Sequence, residues 1–140
     1  MIKEIDRNYL RQIITLHKKT IFPLWDKIGK KYSIREVKEY VLDTLKKGKV
    51  FGYFEDMRLV GCAGVILDKK NKSGEVRHVI VDPKSQGKGI GKQLMAFIEN
   101  YSKKNVKKLL LNVLIVNKAV NFYEKIGYKK YCYIMKKSIG

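Results

Sequence analysis

The sequence predicts an α/β fold, a mixed sheet flanked by about four helices, and three observations predict it. Helical periodicity opens the chain, a β-rich meander follows, and the remainder alternates strand, helix, strand, helix, strand. In the middle of this order a strand runs directly into a glycine-rich loop and an amphipathic helix. Finally, 140 residues of which 45% are hydrophobic suffice to bury one core without disulfides or metals, so residues 1–140 are expected to form a single domain.

The elements follow in order. Ile2 to Ile5 reads as a short first strand. Leu10, Ile13, Ile14 and His17 then share one helical face, and Pro23 is expected to end that segment. Ser33-Ile34-Arg35-Glu36 has the pattern of a capping box, followed by Ile34, Val37, Val41 and Leu45 on one face and Gly48 as the stop. Val50 to Phe54 and Leu59 to Leu67 are β-rich and joined by Glu55-Asp56-Met57-Arg58, the layout of a hairpin. After the turn residues Asn71 to Gly74, Glu75 to Val81 is a third strand of that meander, stopped at Asp82-Pro83 because proline has no N–H for a ladder. Ile90, Leu94, Phe97, Ile98 and Tyr101 recur at helical spacing. Leu109 to Leu114 reads as a buried strand, Asn117 as the cap of a helix carrying Ala119, Val120, Tyr123 and Ile126, and Tyr128 to Met135 as a closing strand after Gly127.

Composition bounds the partners. The net charge of +18 favours anionic ones, whether nucleic acid, acidic membrane or a phosphorylated cofactor. Of the 31 basic residues 26 are lysine, spread evenly along the chain, whereas reading of bases leans on the arginine fork. A solvated lysine-rich surface is therefore the expectation, with nucleic-acid binding kept as the alternative. The two cysteines, Cys62 and Cys132, lie in strand-like runs without a CxxC spacing or a nearby histidine, and both read as small core residues, so no metal is expected. No apolar run reaches the length of a membrane span and the N-terminus lacks a signal-peptide layout, so the expected setting is cytoplasmic with no membrane partner.

The stretch Ser85-Gln86-Gly87-Lys88-Gly89-Ile90-Gly91-Lys92 lies between strand and helix, where free backbone N–H groups and the positive end of a helix dipole converge on one place. Such a place suits phosphate, and Lys88 and Lys92 add charge to it. Two familiar glycine motifs fail on spacing. A dinucleotide fingerprint from Gly87 needs glycine where Lys92 stands; a Walker A loop ending at Gly91-Lys92 needs glycine at Gln86 and a hydroxyl at Gln93.

Gln86, Gly89 and Gly91 do fit another pattern, Q-x-x-G-x-G directly after a strand. This resembles the acetyl-CoA loop of the GNAT superfamily of N-acetyltransferases. Downstream, Asn117-Lys118-Ala119-Val120-Asn121-Phe122-Tyr123-Glu124-Lys125-Ile126-Gly127-Tyr128 resembles that family's N-x-A-x-x-F-Y-E-K-x-G-F segment, with tyrosine in the last place. The resemblance covers Glu75 to Tyr128; residues 1–48 carry no motif. It implies the family's fold, a mostly antiparallel sheet splayed at the cofactor strand, with acetyl-CoA as cosubstrate. It also implies transfer of the acetyl group to a primary amine, of a small molecule or a peptide, with a homodimer as the family's frequent state. A non-catalytic binder of acyl-CoA or nucleic acid on the same fold is the alternative.

Carried over by position, the resemblance places the backbone of Val79, Ile80 and Val81 beside the pantetheine arm. It places Gln86, Gly87, Lys88, Gly89, Ile90, Gly91 and Lys92 around the pyrophosphate, and Asn117 against the cofactor. The chemistry needs two proton transfers. An amine with a pKa of about 10.4 is only about 0.04% neutral at pH 7, so a base is required. The departing thiolate needs a proton, for which Tyr123 is the candidate donor. Glu75 is the candidate base, its bland alternative being a strand-end partner for Arg77. His78 is the other candidate, and strand alternation places it on the face opposite Glu75. His17 reads as a core residue, and Phe22, Trp25 and Tyr32, around the link between the first two helices, read as a cap on the core or a wall of the acceptor pocket.

Overall fold

A computed structural model describes residues 1–140. Five strands form one sheet in chain order: β1 (Ile2–Ile5), β2 (Lys49–Glu55), β3 (Arg58–Asp68), β4 (Ser73–Val81) and β5 (Lys108–Leu111). β1 to β4 pair antiparallel, and β5 runs parallel to β4. Apolar residues on alternate positions of β2 and β3 feed two cores, one on each face of the sheet. Helices α1 (Leu10–Lys27) and α2 (Ile34–Lys47) cover one face, where Ile13, Leu16, Val37 and Val41 meet Val50, Cys62 and Ile80. Helices α3 (Ile90–Ser102) and α4 (Ala119–Lys125) cover the other, where Leu94, Met95, Ile98 and Tyr123 meet Phe51, Val60, Ala63 and Val76. No helix is long and apolar enough to cross a membrane.

Local chemistry explains the boundaries. The Ser33 hydroxyl accepts the Glu36 N–H at 3.1 Å and donates to the Glu36 carboxylate at 3.2 Å, so α2 begins where its cap pattern stands. Asp56 and Met57 take φ of 47° and 65° between the paired Glu55 and Arg58, the two left-handed residues that a tight hairpin matching strand twist demands. Gly127, at φ 106°, ends α4: its N–H reaches the Glu124 carbonyl and the Tyr128 N–H reaches that of Tyr123.

Five expectations change, the fifth within β4. Pro23 lies inside α1 rather than at its end. A proline removes one intrahelical bond, and α1 tolerates that loss for one more turn while Phe22 and Trp25 pack on Tyr32 at ring separations of 5.4 and 5.2 Å. The strand expected over Leu109 to Leu114 is shorter, ends at Leu111, and is half-exposed rather than buried, because its outer edge has no neighbour. Tyr128 to Met135 forms no strand, since β propensity is realised only against a partner and nothing pairs with this stretch. Cys132 is consequently exposed, while Cys62 is buried as expected.

β4 contains the feature on which the site depends. Cys62 pairs with Ile80 and Gly64 with Arg77, so Ala63 alone faces two residues, His78 and Val79. This is a β-bulge, and His78 carries it at φ 56°. An extra residue breaks the alternation of faces. Arg77 and His78 therefore both turn toward α2, the side to which Arg77 also draws Glu75 through a 2.8 Å ion pair. His78 and Glu75 lie on the same face, not on opposite ones. Just beside the bulge the pairing of β4 with β5 stops at Val76 and Leu111, and the sheet opens.

Candidate active site

From Arg77 to Val81 one edge of β4 has no strand beside it, so backbone polar groups are presented to whatever enters the opening. Val79 and Val81 turn their side chains to the α3 side and Ile80 turns to the α1 side, which leaves main chain as the recognition surface. One group is occupied already: the Gln86 side-chain amide donates to the Val81 carbonyl at 3.0 Å. That bond ties the start of the loop to the end of the strand.

The loop continues the opening. Gly87 and Gly89 hold φ of 84° and 79°, a left-handed conformation that costs other L-residues about 1 kcal/mol or more. Space for a Cβ at either glycine is empty out to 4 Å, so a ligand can lie directly on the backbone. Gly89 caps α3 without a side-chain bond, and the N–H groups of Ile90, Gly91 and Lys92 have no partner in the chain. These donors, with the helix dipole behind them, form an anion cradle. Gln86, Gly87, Lys88 and Lys92 are exposed around it. Glu55, a hairpin residue that sequence reasoning missed, accepts from Ser85 at 3.0 Å and meets Lys88 at 3.4 Å, so it both braces the loop and holds one of its cations. Nothing in its local sequence signals this, because the contact joins residues thirty positions apart.

α4 stands beside this cradle. A Cβ on Gly91 would lie 3.6 Å from the Phe122 ring, so the third glycine is where α4 packs on the start of α3. Next to Phe122, Tyr123 is 8% exposed with its ring 5.8 Å from that of Tyr128. Burial, together with Tyr128, pushes the Tyr123 phenol well above its ordinary value, which keeps it protonated at neutral pH. Asn117 precedes the helix and its side-chain oxygen accepts the Ala119 N–H at 2.9 Å; its amide nitrogen remains available.

Across the sheet lies a cluster of polar groups. Arg77 donates to one oxygen of Glu75 from two nitrogens, at 2.9 and 2.8 Å, and to Asp43 and Thr44 of α2. The second Glu75 oxygen has no protein partner. The chain's two histidines meet behind Arg77, His17 Nε2 lying 3.1 Å from His78 Nδ1, while His78 Nε2 lies 2.9 Å from the Thr44 hydroxyl. Both nitrogens of His78 are thus engaged and buried. The pairing was hidden from sequence reasoning, although both histidines fall on apolar faces. Phe22, Trp25 and Tyr32 cluster on the same side of the sheet, with Lys30 4.9 Å above the Trp25 ring.

Burial lowers His17 to about 4 and His78 to about 3, both from 6.5, so each folds as the neutral base. A lowered folded value means that the unfolded chain binds more protons below pH about 6.5. Stability is therefore full above that pH and declines as pH falls toward 4, by about 1.4 kcal/mol per unit for each histidine that must fold neutral. Thermal unfolding followed from pH 7.5 to 4.5 is expected to show the melting temperature falling steadily below pH 6.5, with a shallower decline in His17→Asn. A flat profile over that range would contradict the buried neutral pair.

Comparison with known proteins agrees with this geometry. Residues 46–130, more than half of the chain, match the family model described as an acetyltransferase (GNAT) domain. Two curated relatives are the glucosamine 6-phosphate N-acetyltransferase of Trypanosoma brucei brucei, 33% identical over 87 residues covering 58% of each chain, and that of Arabidopsis thaliana, 30% identical over 76 residues covering 50% of each. The match thus spans about half the length of these relatives. Among solved structures, the ribosomal-protein-S18-alanine N-acetyltransferase of Escherichia coli superposes with a TM-score of 0.76 over 94% of this chain and 79% of that one, at 16% identity, a likeness of fold. With the Q-x-x-G-x-G loop, the opened sheet and this match together, the chain belongs to the GNAT family of acetyltransferase domains.

Proposed function

We propose that the chain is an acetyl-CoA-dependent N-acetyltransferase that acetylates the primary amine of an acceptor carrying an anionic group. The observation that carries this reading is the continuity of the free β4 edge with the glycine cradle, one end suited to an amide-bearing arm and the other to a pyrophosphate. The backbone of Val79, Ile80 and Val81 would pair with the pantetheine arm as an added strand. Gln86 to Gly91 would hold the pyrophosphate through main-chain N–H groups, Lys88 and Lys92 would add charge, and Asn117 would use its free amide. The curated relatives' phosphorylated aminosugar and the chain's charge of +18 support an anionic acceptor.

Transfer is direct within a ternary complex, so much of the rate comes from holding amine and thioester together. The free oxygen of Glu75 takes the proton from the amine, directly or through water, as nitrogen attacks the carbonyl carbon. The carbon–sulfur bond breaks, and Tyr123 passes its phenolic proton to the leaving sulfur. Glu75 works from the α2 side and Tyr123 from the α3 side, which suits a reacting centre lodged in the gap between β4 and β5.

Release of CoA thiol from acetyl-CoA against a panel of amines tests the reading. The panel holds glucosamine 6-phosphate, glucosamine, polyamines, aminoglycosides and peptides of either charge. Saturable release is expected with the phosphorylated aminosugar or another anionic amine. Release only with uncharged or cationic amines would overturn the acceptor class, and no release with any would count against the activity. Gly89→Ala forces a Cβ into a left-handed position, and a tenfold or weaker affinity for CoA is expected with a melting temperature lowered by only a few degrees. Equal affinity would remove the loop from cofactor binding.

A further inference from the structure

His78 is bound on every side, yet it stands in a backbone conformation that β-strand residues avoid. At φ 56° it occupies the extra position of the β4 bulge, directly before Val79 and two residues beyond the last β4–β5 pair. Its bonds define one tautomer chain. The Thr44 hydroxyl spends its proton on the Tyr40 carbonyl at 3.0 Å and accepts from Arg77, so it receives the His78 Nε2–H; His78 Nδ1 then accepts the His17 Nε2–H. The Tyr40 ring meets the imidazole edge-on at a centroid distance of 4.7 Å and the Cys62 thiol donates to the His78 carbonyl at 3.2 Å. The side chain is thus anchored to α1 and α2, and the carbonyl is tied to β3.

We infer that His78 is a positioning residue for acetyl-CoA: its anchored side chain holds the left-handed bulge that turns the Val79–Val81 main chain into the opening. This rests on the reading of that edge as the acetyl-CoA site. No step of the reaction needs the imidazole as a base. What matters is the backbone angle that it enforces, and the residues that enforce it lie on helices outside the motif segment.

Three substitutions separate the bonds of the imidazole from the backbone angle. Asparagine accepts a left-handed φ and keeps a hydrogen-bonding group, glycine accepts the angle without any anchor, and alanine resists the angle. If His78 served packing alone, the bulge would stand without its bonds, and glycine, which accepts the angle, would bind acetyl-CoA as tightly as asparagine. We would measure the Kd for acetyl-CoA by calorimetry and the melting temperature for His78→Asn, His78→Gly and His78→Ala. Expected are affinity within about threefold of the parent for Asn, a loss of several-fold for Gly and of tenfold or more for Ala. Affinity as tight for Gly as for Asn would overturn the positioning role. Should the parent protein not bind acetyl-CoA, the reading of the site fails separately, and amide hydrogen exchange at Val79 and Ile80 still decides the inference: exchange should quicken in the order Asn, Gly, Ala, and an unchanged or reversed order refutes it.

Discussion

Tyr123→Phe is expected to lower kcat tenfold or more while leaving the affinity for acetyl-CoA within about twofold of the parent. The substitution removes one oxygen from a ring that remains packed against Phe122 and Tyr128, at 5.3 and 5.8 Å, so the core around α4 has no reason to collapse. Burial raises the phenol, and the same dry surroundings raise the basicity of a thiolate that forms beside it, so passing the proton to sulfur avoids leaving a charged thiolate out of water. Steady-state kinetics with the acceptor identified from the panel, together with calorimetry, separate the two quantities. An unchanged kcat would take Tyr123 out of the mechanism; a lost affinity with kcat retained would make it a binding residue.

The largest effect on stability is expected at a position remote from the chemistry. Gly48 joins α2 to β2, and a Cβ there would stand 2.1 Å from the Val65 carbonyl oxygen and 2.9 Å from its carbon. The obstacle is main chain of the neighbouring strand, which cannot rotate away as a side chain would. β2 and β3 would have to separate where Lys49 pairs with Val65, or α2 would have to lift from the sheet. Gly48→Ala is therefore expected to cost about 3 kcal/mol, a drop in melting temperature on the order of 10 °C. The sequence offers only a helix stop there; the second reason for glycine, the approach of β3, comes from pairing that no local pattern encodes. A melting temperature within two or three degrees of the parent, measured by circular dichroism, would show that the junction yields more easily than the contacts imply.

The same limit explains what could and could not be read along the chain. Elements whose signal is local were legible: the Ser33 cap, the Asp56-Met57 hairpin, the apolar faces of α2 and α3, and the glycine stop of α4. The glycine loop between β4 and α3 was legible because its left-handed turns at Gly87 and Gly89 favour that residue type. Features set by distant contacts were not. Pro23 costs a single bond, and whether a helix survives it depends on what Trp25 and Tyr32 gain beyond it. The alternating residues of Tyr128 to Met135 specify a strand only if an edge receives them. The bulge at His78 has no signature of its own, since an L-residue with left-handed φ looks like any other in sequence. That one extra residue reversed the expected face of His78 and turned two separate candidates, Glu75 and His78, into neighbours of one Arg77-centred cluster.

The central claim is that the β4 edge and the glycine cradle together hold acetyl-CoA. Amide hydrogen exchange with and without acetyl-CoA tests it most directly, because it reads the main-chain groups that are supposed to bind. Slowed exchange is expected in two blocks, Val79 to Val81 and Gln86 to Lys92, with little change in β1, β2 or α2. Protection confined to other segments, or none at saturating acetyl-CoA, would contradict it.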